Sequence, residues 1–149
     1  MVVRTALAAA AAAVALSLVP APGPVQATPA PDPLAALALH PEWGSVTGKG
    51  GVLRRGCHIY TFSYAITPPE GIWALEIFIS GPRLKHLAAG AFLGGYDPES
   101  GPGHYKLCLA TTHYGTFQIE AKVSVDDGAG HITEGRLPTD TYRLRRPRG

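Results

Sequence analysis

The chain has only two cysteines in 149 residues, Cys57 and Cys108. If they pair with each other, no thiol is left to act as a nucleophile, and no cysteine lies near the N-terminus to carry a lipid. Beyond the first two dozen residues there is no long apolar run, which excludes a second membrane-crossing segment. There is no Gly-x-Ser-x-Gly elbow and no glycine-rich phosphate loop ahead of a helix. The six histidines never fall at the i, i+4 spacing of a helical zinc site, and no acidic stretch has the ligand order of an EF-hand. Internal repeats and heptads are also missing. These absences argue against an enzyme and leave no cofactor or metal to be expected.

What is present at the N-terminus reads as an export signal. Arg4 supplies a positive start, Leu7 to Val19 an apolar stretch, and Val25-Gln26-Ala27 the small residues of a cleavage site. Residues 1–27 are therefore expected to be removed. Prolines crowd residues 28–42, which read as a stiff, poorly ordered leader. Residues 43–144 have the length of one domain, and 145–149 form a basic tail. Export implies an oxidising compartment, so Cys57 and Cys108 are expected to form one disulfide. Closing a loop of about fifty residues, it should contribute roughly 3–4 kcal/mol in the chain-entropy model.

The domain reads as all-β. The stretch 116–126 alternates almost without error. Phe117, Ile119, Ala121, Val123 and Val125 fall on one side, with Thr116, Gln118, Glu120, Lys122, Ser124 and Asp126 on the other. That is the pattern of an antiparallel strand with one wet face. A strand before it, around Cys108, is expected to pair with it through a turn at His113-Tyr114-Gly115. Cys57–Ile66 and Trp73–Ser80 are further strands, rich in aromatic and β-branched residues. Thr67–Gly71 and Asp126–Gly130 are turns, the latter of Asp-Gly type. Leu84–Phe92 breaks the two-residue rhythm and suits either a short helix or a crossover strand. Gly94–Gly103, dense in Gly and Pro, is expected to be loop throughout.

The order Cys57, Trp73, Cys108, together with the strand rhythm, resembles the Cys…Trp…Cys framework of immunoglobulin-like domains. The resemblance implies an antiparallel Greek-key sandwich of about seven strands, with Trp73 packed on a disulfide that joins the two sheets. Two offsets depart from it. Tyr105 lies three residues before Cys108 rather than two, and Cys57 falls opposite the aromatic face of its own strand. Either bulges shift the register or the bridge lies outside the core.

Fold alone assigns no function, so sites carry that reading. The expected contact residues are Tyr96, Asp97 and Glu99 in the long connection, His104 after it, and Tyr114 at the following turn. They suit a small exported binding module whose partner is an extracellular protein or a component of the cell envelope. An alternative is an inhibitor that presents Asp97–Gly103 to an extracellular hydrolase. A weaker one is a metal-binding protein or metal-dependent enzyme, its site built from His58 with His104 or His113, or calcium held at Asp97 and Glu99 or at Asp126 and Asp127. Net charge is +2, and the mature body before the arginines at 143, 145, 146 and 148 is mildly acidic, which gives no reason to expect nucleic acid as a partner. No stable membrane insertion is expected after cleavage, and the tail suits adhesion to an anionic envelope. N-terminal sequencing of the exported protein should begin at Thr28; a start before residue 20 would show that the apolar segment is retained.

Overall fold

The computed structural model describes residues 34–148. The expected signal, the first part of the leader (28–33) and Gly149 lie outside the described residues. Among the described residues nine strands run β1 (Gly44–Gly48), β2 (Gly51–Val52), β3 (Cys57–Ile66), β4 (Ile72–Gly81), β5 (Leu84–Leu93), β6 (Ser100–Cys108), β7 (Gly115–Asp126), β8 (Ile132–Arg136) and β9 (Asp140–Arg145). They form two sheets. One has the order β1-β3-β6, the other β2-β9-β7-β4-β5, with β8 also on β7.

Strand β7 is the centre. All five of its expected inward residues are buried. On one edge it pairs with β4 along its length, Ile72 opposite Asp126 and Ser80 opposite Gln118. Its other edge is shared by β8 and β9. These two are nearly one strand. Two β7 residues, Glu120 and Ala121, face three on the partner, Leu137, Pro138 and Thr139. The extra residue makes a bulge, which accommodates a proline that could not donate to the ladder. Leu137 still donates to the Ala121 carbonyl at 3.0 Å.

The core between the sheets is divided by chemistry. The three-stranded sheet contributes mainly rings, Tyr60, Phe62, Tyr64 and Tyr105; the larger sheet contributes Leu75, Ile77, Ile79, Ile119 and Val123. Polar links also cross the gap. The Tyr105 and Tyr142 hydroxyls are hydrogen-bonded at 2.7 Å deep in the core, and the Gly48 N–H donates to Asp140 Oδ2 at 2.9 Å. Among the described residues no buried side-chain polar atom lacks a partner.

Three expectations are corrected. Strands β6 and β7 do not pair with each other. Strand β6 lies on β3 and β7 lies on β4, so the turn at His113–Gly115 carries the chain from one sheet to the other. The stretch 84–93 is neither a helix nor a crossover but the hairpin partner of β4. Register shifts at Ile77/Phe78 and Ile79/Gly81 account for the lost rhythm, and Arg83 and His86 take positive φ of 62° and 47°. Finally, only residues 94–99 are loop. Ser100–Gly103 is the start of β6, paired with residues 62–65 of β3. Its Gly and Pro content misled because β6 is an edge strand, where Pro102 can pair opposite Ser63 with its N–H-less side on the open edge. Gly103 is needed because any Cβ there would collide with the Phe62 ring.

The disulfide forms between Cys57 and Cys108. It joins directly opposed residues of β3 and β6, within one sheet and on its outer face. The inter-sheet bridge implied by the immunoglobulin-like pattern is therefore not the one made. Trp73 is buried in the other sheet, with its indole over Gly94. Of the expected leader, residues 34–42 are described. His40 donates to the Arg136 carbonyl at 2.9 Å, Arg136 donates to that of Ala38 at 2.8 Å, and Leu34 is buried.

Two stability outcomes follow from these contacts. Replacing both cysteines by serine should lower unfolding free energy by about 3–4 kcal/mol in a denaturant titration; a loss under about 1 kcal/mol would show that the bridge barely restrains the unfolded chain. For the tyrosine pair, Tyr105→Phe or Tyr142→Phe alone leaves one buried hydroxyl without its partner and should cost about 1–3 kcal/mol, whereas the double variant should cost less than the two singles combined. Burial is the main cause that pushes the Tyr105 phenol up, to about 12, and the Tyr142 phenol up as well. The folded state therefore holds protons that the unfolded chain releases above about pH 10. Stability from the pair is complete below that pH and falls as the pH rises towards 12 and beyond. In the double variant this alkaline loss should be shallower.

Candidate functional site

Apart from the β8–β9 bulge, strand directions place the connections among the described residues at one of two ends. The β3–β4, β5–β6 and β7–β8 connections lie at one end. The segment between β1 and β3, the β4–β5 turn, the β6–β7 crossing and the end of β9 lie at the other.

The five expected contact residues are split by this geometry. Tyr96, Asp97 and Glu99 sit at the first end. Tyr96 is 91% exposed. Asp97 is tied into its own loop, accepting the Leu93 N–H at 2.8 Å and donating its own N–H to the Leu93 carbonyl at 2.9 Å. The Glu99 carbonyl accepts from Ile66, and the Pro98 carbonyl accepts from the Tyr64 hydroxyl. His104 lies midway along the outer face of the small sheet, with Nδ1 3.5 Å from Thr61 Oγ1. Tyr114 is at the second end, half-buried against the core.

The metal candidates do not converge either. His104 alternates with the buried residues of β6 and faces outward, whereas His58 shares the inward parity of Tyr60 and Phe62. Among the described residues no group of three or more His, Cys, Asp or Glu could hold a metal ion. Asp126 accepts from Gly128, and Asp127 from Ala129 and His131. Those hydrogen bonds, first the one from Ala129, hold the Asp127 carboxyl below its usual range. Both carboxylates are thus engaged in shaping their own turn.

The second end has a different character. Strand β2 runs parallel to the end of β9, Gly51 opposite Leu144 and Val52 opposite Arg145, and Leu53 donates to the Arg145 carbonyl at 2.9 Å. Leu53 and Leu144 are fully buried. With Tyr142 and Leu144 facing in, the two-residue period sends Arg143 and Arg145 out. The Tyr60 hydroxyl pins the facing turn: it accepts the Arg54 N–H at 3.1 Å and lies 3.4 Å from the Val52 carbonyl. His58 Nε2 is 2.7 Å from the Arg55 carbonyl.

Three clefts open here. The first, about 320 Å³, lies between Lys49–Arg54 and His58–Thr61. The second, about 530 Å³, is lined by residues 50–52 and by Tyr142, Arg143 and Arg145. The third, about 450 Å³, lies between Tyr114–Gly115 and Arg143–Arg146. Among the described residues no carboxylate lines any of them. Arg83 stands on the β4–β5 turn and Lys85 at the start of β5, at the same end, near the crossing where Thr112 donates to the Pro82 carbonyl at 2.6 Å. Cations from three separated segments, 49–55, 83–85 and 143–146, thus share this end, while Glu70, Asp97, Glu99, Asp126 and Asp127 sit at or beside the connections of the opposite end. Of the five residues expected from sequence, only Tyr114 reaches this basic end. Its arginine tail was visible in the sequence, but its joining with Lys49, Arg54 and Arg55 was not.

No family model matches the chain, and no curated protein matches it either.

Proposed function

We propose that this chain is an exported, non-catalytic binding module on an immunoglobulin-like, Greek-key scaffold, and that it docks by its basic end on an anionic extracellular partner or envelope component. One observation carries the reading. Lysines and arginines distant in sequence share one end of the domain, and the loop carboxylates gather at the other. Such a separation gives the molecule a directed field, which orients it as it approaches a negative surface and raises the encounter rate. Export and the disulfide belong to the same reading, since a bridge of this kind persists outside the reducing cytosol. For the scaffold, the support is the strand path. The hairpin β4–β5 is followed by a crossing to β6 beside β3, and then by the return of β7 beside β4.

Arginines near an anionic surface contribute about 1 kcal/mol each at moderate salt. Arg143→Gln with Arg145→Gln should therefore weaken adsorption to washed cell envelopes roughly 30-fold at low salt. The effect should fade as the Debye length drops to about 3 Å near 1 M salt. A control at the opposite end, Asp97→Asn with Glu99→Gln, should adsorb at least as well as the unmodified chain. If the arginine variant and the unmodified chain elute together across the salt series, the basic end is not the docking face.

A further inference from the structure

We infer that the three clefts of the basic end are one continuous furrow that seats a linear, base-free polymer bearing regularly spaced phosphate groups. This rests on the docking reading above and gives it a ligand class. The first and second clefts share Gly50, Gly51 and Val52, and the second and third share Arg143 and Arg145. The track therefore starts at the outer side of β3, passes over the β2–β9 junction and ends beside the first residues of β7. Cations follow it from mouth to mouth. Lys49 and Arg54 stand at one opening, Arg143 and Arg145 in the middle, and Arg146 at the other.

Arg143 and Arg145 lie two residues apart on one strand face, roughly 6.6 Å by strand rise. A single small anion meets one such position at a time, whereas a chain of charges meets them in series. The guanidinium fork matches two oxygens of one phosphate, so arginine suits a phosphate better than a diffuse negative field requires.

The walls narrow the class further. Val52 and Ile59 are 43% and 64% exposed and lie on the first cleft, where they offer apolar contact to the carbon skeleton of a polyol-phosphate chain. The tyrosine rings along the track do not offer a free face, and the half-buried His58 ring is tied by Nε2, 2.7 Å from the Arg55 carbonyl. Tyr142 is buried, and Tyr60 and Tyr114 are half-buried against the core. Base stacking, the main attraction of single-stranded nucleic acids for such grooves, has no platform here. A recessed track also suits a strand of polymer better than a flat bilayer.

The floor of the track is Gly51. A Cβ built there meets nothing within 4 Å, so the space above it is open and a side chain can be added without crowding the protein. This allows a test that leaves every charge in place. The exported chain and its variants are titrated with orthophosphate, tripolyphosphate and long-chain polyphosphate, and with a single-stranded oligonucleotide and anionic phospholipid vesicles as alternative sources of the same group. Affinity should rise by about tenfold or more from tripolyphosphate to the long chain and then level off once the furrow is filled. Gly51→Phe should lower long-chain affinity by about tenfold or more, while Gly51→Ser should bind as the unmodified chain does. Ile59→Trp, at an exposed position on the opposite wall, provides a second obstruction if Gly51→Phe reduces thermal stability.

Unchanged binding by both obstructed variants would overturn the furrow, as would equal affinity per phosphate for orthophosphate and polymer. Tighter binding to the oligonucleotide or to vesicles than to polyphosphate would overturn the ligand class. A failure of the docking reading looks different: Arg143→Gln with Arg145→Gln would then bind every probe as well as the unmodified chain.

Discussion

The two-residue period of β7 is the constraint on which the rest depends. Its five inward residues are buried, and its two edges carry β4 on one side and β8 with β9 on the other. A slip of one residue would turn all five into water, so the register is strongly determined. The neighbours inherit it. Tyr142 faces in because it is paired with Phe117, and the two rings stack with centroids 5.7 Å apart. Leu144 follows inward two residues later. Arg143 and Arg145 are then forced out. The position of the charged furrow is a consequence of how the core strand packs, since Arg143 lies opposite Thr116, the residue before Phe117.

The same geometry separates the charges. Antiparallel strands return each connection to one of two ends, so a chain that puts acids in its β3–β4, β5–β6 and β7–β8 connections and bases in the others becomes polar along its axis. Crowding like charges costs energy, but the cost is small where side chains remain in water and salt screens them. Within the outer face of the larger sheet the arrangement is the reverse. Lys122 is held between Glu134 at 2.6 Å and Glu76 at 3.4 Å. These contacts, with Glu134 first, raise the lysine and lower the Glu134 carboxyl. Charge is thus balanced along the sheet and left unbalanced at the end where the clefts open.

The disulfide has a different place from that of the immunoglobulin framework, although the order of residues is similar. Cys57 and Cys108 alternate with the inward residues Tyr60, Phe62, Tyr105 and Leu107, so both point away from the core. The bridge staples β3 to β6 at the end of their ladder, next to the turn that carries Arg54 and Arg55. Cohesion between the sheets then falls to the packed rings and aliphatic side chains of the core and to hydrogen bonds such as those between Tyr105 and Tyr142 and between Gly48 and Asp140. This division lets the basic end be rigid at its base without any bridge crossing the core.

What the sequence determined by itself was local. The alternation of 116–126, the aromatic face of Cys57–Ile66, the Asp-Gly turn at 126–130 and the pairing of the only two cysteines were legible from the order and number of side chains, and each is present in the fold. The offset of Cys57 and Cys108 from their aromatic faces even pointed to a bridge outside the core. Which strands pair was decided only in three dimensions. Strands β6 and β7 are neighbours in sequence and lie in different sheets, because each buries its inward face against the other sheet and finds its hydrogen-bond partner far along the chain. Bulges hid β5, and an edge position hid the start of β6, since both relax the rules by which a strand is recognised. The candidate site was the least legible part. Its cations lie on segments as far apart as Lys49 and Arg146, and periodicity says which way a side chain faces but not which distant side chain it will stand beside.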